Sequence, residues 1–81
     1  MKKLSGIFTI KEIYALPCSI NGNPKREIVM EDENGRTYYA KTATDAMVGY
    51  LVAYNCKGEK FNFTYHYTKK GSCVIDYGER I

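Results

Sequence analysis

Residues 46–56, AMVGYLVAYNC, interrupt a chain whose apolar residues otherwise tend to recur at every second position. Met47, Leu51 and Tyr54 fall on one helical stripe, with Val48 and Val52 beside it. Thr44 or Asp45 stands where a side-chain oxygen caps free backbone N–H groups. Lys57 and Gly58 suit the other end, as a cation near the C-terminal dipole and a residue at ease in the left-handed conformation. The pattern predicts one helix over 46–56, with strands on both sides of it.

Residues 4–16, LSGIFTIKEIYAL, read as a long first strand rich in β-branched and aromatic residues. Its apolar parity shifts from Phe8 and Ile10 to Ile13, which implies a bulge or bend. Pro17 and Asn21-Gly22-Asn23-Pro24 mark a loop. A second strand covers 26–32, with Ile28 and Met30 on one face, and a third covers 36–42. Between them Asn34-Gly35 predicts a type I′ hairpin turn, because both central positions of that turn need positive φ. A fourth strand at 60–68, KFNFTYHYT, puts Phe61, Phe63, Tyr65 and Tyr67 on one face. In a small barrel that face must be buried, at least at Phe61 and Phe63, while Tyr67 lies nearest the open end. After the turn Lys69-Lys70-Gly71-Ser72 comes a fifth strand, 73–77.

The expected fold is therefore all-β with one helix, in the order β1-β2-β3-α-β4-β5. Carried by the long bent first strand, the VMEDENGRTYYAKT hairpin, the capped helix and the KGEKFNFTY entry to the fourth strand, this order resembles the OB-fold, a small five-stranded Greek-key barrel. The resemblance spans residues 1–81 as a single OB-like domain. An SH3-like barrel is the structural rival, though such barrels seldom carry a full-length helix at this point. At the level of pattern the chain is also similar to small bacterial and phage proteins of this fold that bind single-stranded nucleic acid.

The chain has 81 residues, 44% of them hydrophobic and 26% charged, as in a globular domain with a modest core. Eight of its eleven aromatics are tyrosines, residues suited to half-buried positions. A net charge of +3 permits contact with nucleic acid without demanding it. Cys18, Cys56 and Cys73 are odd in number and match no metal spacing; reduced thiols in a cytoplasmic protein are expected. No run of residues has signal-peptide or membrane-span length.

No catalytic motif is present, and neither a cofactor nor a metal site is expected. His66 is the only histidine and reads as an exposed or hydrogen-bonded strand residue. Glu31, Asp32 and Glu33 point to alternate faces, so they read as a solvated hairpin end that discourages edge pairing.

Binding is the better prospect. The resemblance implies a ligand surface on the second and third strands, flanked by the loops joining strands one to two and four to five. Lys25 and Arg26 end the first loop, Arg36 and Lys41 bracket the third strand, and Lys69 and Lys70 tip the second loop. Of Tyr38 and Tyr39 one points outward, where a base can stack; Tyr67 completes the set. The expected function is non-catalytic binding of single-stranded nucleic acid. The alternative is a protein-interaction module, such as a phage or mobile-element accessory protein docking on a host factor, with homo-oligomerisation through strand edges also open. Glu27 and the acidic hairpin would repel phosphate if they shared the binding face.

Overall fold

A computed structural model describes residues 2–17, 22, 24–44, 46–52 and 56–81. Five strands close into a barrel: β1 (Leu4–Leu16), β2 (Lys25–Asp32), β3 (Thr37–Thr42), β4 (Lys60–Tyr67) and β5 (Cys73–Arg80). A short helix, α1 (Val48–Leu51), lies between β3 and β4. Around the barrel the order is β1-β2-β3-β5-β4, antiparallel throughout except between β3 and β5. This is the expected OB-like order.

β1 serves two neighbours. Leu4–Thr9 pair with β4 and Phe8–Leu16 with β2, which a long strand allows if it bends. The bend falls at Lys11, the extra residue between the Ile10–Met30 and Glu12–Val29 pairs. There the inward parity passes from Phe8 and Ile10 to Ile13, as the sequence predicts. A second bulge, at Asp76, sits between the Thr64–Tyr77 and Tyr65–Ile75 pairs and lets β5 run on to Arg80, past the predicted end at 77.

Inward residues of all five strands fill the barrel. Phe8, Ile10, Ile28, Met30, Ala40, Phe61, Phe63, Cys73 and Ile75 are buried, joined by Val48, Val52 and Cys56 from the helical segment and its exit. Phe61 and Phe63 stack at 5.3 Å and Phe8 lies 6.2 Å from Phe63, so the aromatic row of β4 is core. Thr42 is the only buried polar residue among those described. Its Oγ1 accepts the Arg26 N–H at 3.0 Å and so ties the start of β2 to the end of β3.

Two expectations are corrected. The described helix is confined to Val48–Leu51, with Met47 at its N-cap and no side-chain cap. Its buried stripe is Val48 and Val52, whereas Met47 is 75% exposed. The cause is Gly49: a Cβ there would collide with the Pro24 carbonyl oxygen, so this side of the helix lies directly on the backbone before β2. The expected roles of Asp45, Tyr54 and Cys18 lie outside the described residues. The β2–β3 hairpin is a three-residue loop rather than a type I′ turn. Asp32 N–H donates to the Arg36 carbonyl and Gly35 N–H to the Asp32 carbonyl, leaving Gly35 at the left-handed position with φ 84.

Candidate nucleic-acid interface

Alternation along β3 separates the two tyrosines. Tyr38 shares the inward side with Ala40 and Thr42; its ring meets Phe8 edge-on at 5.2 Å and its hydroxyl donates to Asp32 Oδ2 at 3.3 Å. Tyr39 shares the outward side with Thr37 and Lys41 and is 71% exposed, opposite Val29 of β2. Tyr39 is thus the outward ring of the pair.

Tyr39 borders a groove of about 330 Å³ lined by Thr37, Tyr38, Lys41, Tyr67, Ser72 and others. The groove runs between the first half of β3 and the β4–β5 turn. Tyr67, 43% exposed, packs edge-on against Tyr65 at 6.0 Å, which holds its ring at the rim. Burial, aided by the neighbouring Cys73 and Tyr38, pushes the Tyr67 pKa up, so its hydroxyl keeps its proton at neutral pH. Cys73, also in the lining, is pushed up to about 11 by burial and the nearby Asp76; it is a neutral thiol at neutral pH and no nucleophile.

The turn beside the groove is tightly bonded. Thr68 N–H donates to the Ser72 carbonyl at 2.9 Å, Gly71 N–H to the Thr68 carbonyl at 2.9 Å, and Ser72 N–H to Thr68 Oγ1 at 3.1 Å. Lys69 and Lys70 are exposed at its tip, next in chain to the groove residues Gly71 and Ser72.

The structure thus brings Tyr38, Tyr39, Lys41 and Tyr67 together, with Lys69 and Lys70 adjoining. Lys25, Arg26 and Arg36 are not lining residues. Arg36 stands at the hairpin end, immediately before Thr37. Lys25 Nζ donates to Thr44 Oγ1 at 3.2 Å and an Arg26 guanidinium nitrogen donates to the Lys25 carbonyl at 3.0 Å, which draws both towards the far end of β3.

Lys3, Lys11, Lys57 and Arg80 form ion pairs with carboxylates, and none of them belongs to the candidate set. Lys25, Arg26, Arg36, Lys41, Lys69 and Lys70 make no ion pair with any described residue. The acidic hairpin is largely occupied. Glu31 lies 3.8 Å from Lys11, and Asp32 turns back to accept the Asn34 and Arg36 N–H groups at 2.9 Å. The hydrogen bond from the Arg36 N–H, chief among these contacts, holds the Asp32 carboxyl below its ordinary pKa. Among the described residues Glu27 is the one carboxylate lining the groove, opposite Lys41 across the β2–β3 ladder.

Two features escaped the sequence reading. Thr37 lines the groove; its shared parity with Tyr39 and Lys41 was the available signal. His66 has a carboxylate partner, Asp76, which no spacing rule marks because the pairing depends on the β5 bulge. Among the described residues no group of His, Cys, Asp and Glu could hold a metal ion, and no helix is long and apolar enough to cross a membrane. Comparison of the chain with protein-family models, with curated proteins and with solved structures gave no match.

Proposed function

We propose that this barrel binds single-stranded nucleic acid without catalysis, through the outer face of β2 and β3 and the basic turn beside it. The observation that carries the reading is the groove itself: Tyr39, Lys41 and Tyr67 line it and Lys69 and Lys70 adjoin it, and none of these three lysines makes an ion pair with any described residue. Unpaired lysines neutralise phosphates at little cost, because no existing ion pair must break. Tyr39 and Tyr67 add sequence-tolerant stacking of about 1–3 kcal/mol per base. Glu27 repels phosphate on the β2 side, so the sugar–phosphate backbone runs along the Lys69–Lys70 side with its bases over Tyr39. Fluorescence anisotropy with labelled oligothymidylate, titrated across a salt series, tests this. Affinity that falls as salt rises supports it, and the lack of any binding at low salt rejects it.

A second reading, a protein-interaction module, draws on a separate patch. Met47, Tyr50 and Tyr77 are exposed around a groove of about 390 Å³ that Val48, Leu51 and Gly78 complete. Exposed Met and Tyr side chains on one patch are the composition of an interface core. A second copy of the chain is the simplest occupant. Sedimentation velocity of the wild type against Met47→Asp checks it: a dimer that the substitution dissociates supports this reading, and a monomer at high concentration removes self-association.

A further inference from the structure

The parallel ladder between β3 and β5 is short. It pairs Ala40, Lys41 and Thr42 with Cys73, Val74 and Ile75 and stops there. Before Cys73 the chain turns away through the closed turn at 68–72 to meet β4. The first half of β3 therefore has β2 on one side and the groove on the other.

Two hydrogen bonds fix the direction of its backbone groups. Asp32 N–H donates to the Arg36 carbonyl at 3.0 Å, so Arg36 faces β2. Ala43 N–H donates to the Ile75 carbonyl at 2.8 Å, so Ala43 faces β5. Along a strand, successive residues present their backbone groups to alternate sides. Counted from either end, Thr37, Tyr39 and Lys41 turn theirs away from β2. Lys41 meets Val74 in the ladder; Thr37 lies beyond it, exposed, in the groove lining. The turn residues nearby bond to one another instead, through Thr68, Gly71 and Ser72.

We infer that the Thr37 main-chain N–H and C=O are a recognition site for the Watson–Crick edge of an unpaired base whose face rests on Tyr39. This rests on the nucleic-acid reading above and adds how the site chooses its ligand. An extended residue holds its donor and acceptor side by side, which in a sheet lets it exchange two bonds with the residue opposite. Each of the four bases carries a donor next to an acceptor on its Watson–Crick edge. The Thr37 pair therefore accepts any base, but only one whose edge is not already occupied by a partner strand. The Tyr39 N–H, on the same side of β3, supplies a further donor. Stacking and phosphate contacts do not test whether a base is paired; this strand edge does.

Two oligomers of about eight nucleotides, within the span one such barrel covers, test it by anisotropy: oligothymidylate and the same oligomer built from N3-methylthymidine. Methylation removes the N3–H donor and leaves the stacking face and phosphates in place. The methylated oligomer is expected to bind about tenfold more weakly, the loss of roughly one good hydrogen bond. Thr37→Pro removes the Thr37 N–H without removing a ladder bond, the edge setting in which proline is tolerated. It is expected to weaken oligothymidylate several-fold and to narrow the gap between the two oligomers, with far-UV circular dichroism checking the fold. Equal affinity of the wild type for both oligomers overturns the inference whether or not the proline variant folds. A folded Thr37→Pro protein that binds and discriminates as the wild type does overturns it too. Failure of oligothymidylate itself to bind is a different result, which removes the nucleic-acid reading altogether.

Discussion

The His66 imidazole and the Asp76 carboxylate lie 2.6 Å apart, Nδ1 to Oδ2, across the β4–β5 ladder, and Lys3 Nζ reaches the same oxygen at 2.8 Å. Asp76 is the bulge residue of β5, so this cluster closes the ladder where its register breaks. Burial alone would raise the Asp76 pKa, but the bonds from Lys3 and His66 outweigh it and hold it below its ordinary value. A carboxylate whose pKa is depressed in the folded state stabilises the fold above its unfolded pKa, about 3.9. That stabilisation is lost as pH falls through the lower folded value. Urea denaturation at a series of pH values should therefore show the wild type losing stability below about pH 4. Asp76→Asn should cost about 1–2 kcal/mol at pH 7 and flatten the acid limb. An acid limb of unchanged steepness in the variant would show that the cluster is not the origin.

Gly78 faces Phe63 across the same ladder, and a Cβ built on it would lie 2.7 Å from Phe63 Cδ1 and 3.2 Å from Leu51 Cδ2. Phe63 is fully buried and stacked on Phe61, so it has little room to yield. Gly78→Ala should destabilise the barrel by about 1–3 kcal/mol through overpacking. Adding Phe63→Leu should cost less in the alanine background than in the wild type, a coupling that a double-mutant cycle measures. Strict additivity of the two changes would contradict a direct steric conflict.

The neighbours Tyr38 and Tyr39 should part company on substitution. Tyr38→Ala removes the ring packed on Phe8 and the hydroxyl bonded to Asp32, a loss of about 2 kcal/mol or more in stability. Tyr39→Ala removes an exposed ring and should change stability by no more than about 0.5 kcal/mol. On the nucleic-acid reading it should weaken oligothymidylate by about 1–3 kcal/mol. Thermal denaturation and anisotropy on the same two variants separate the effects, and a Tyr39→Ala protein with wild-type affinity would remove the stacking role.

The strands, the β1 bend and the barrel order were legible because they rest on local parity: Phe8, Ile10 and Ile13 record the bulge without reference to any partner. The orientation of the helix was not. Its inward stripe is set by Gly49 lying on Pro24, a contact 25 residues apart that no 3.6-residue period records. Parity narrowed Tyr38 and Tyr39 to one inside and one outside, and the packing of Tyr38 on Phe8 decided which. The positions of Lys41, Lys69 and Lys70 followed from strand ends and turn residues. That they make no ion pair with a described residue did not, because it depends in part on the Lys11 and Asp32 contacts that occupy the acidic hairpin.

Charge at the groove gives the last prediction. Each phosphate neutralised by a protein cation steepens the fall of log affinity with log salt by about 0.7 for a single strand. If Lys69 and Lys70 each hold one, the double alanine variant should flatten that slope by about 1.4. Lys60 is an exposed lysine at the start of β4, outside the groove lining and the candidate set, so Lys60→Ala should leave the slope as it is. Glu27 works in the opposite direction, because its carboxylate faces the groove opposite Lys41. Glu27→Gln removes that repulsion and should tighten binding a few-fold at low salt, with the gain fading as the Debye length shortens towards about 8 Å at physiological ionic strength. Equal slopes for the wild type and the Lys69/Lys70 variant would place the phosphates elsewhere, and an affinity unchanged by Glu27→Gln would mean that the strand does not pass the β2 side of the groove.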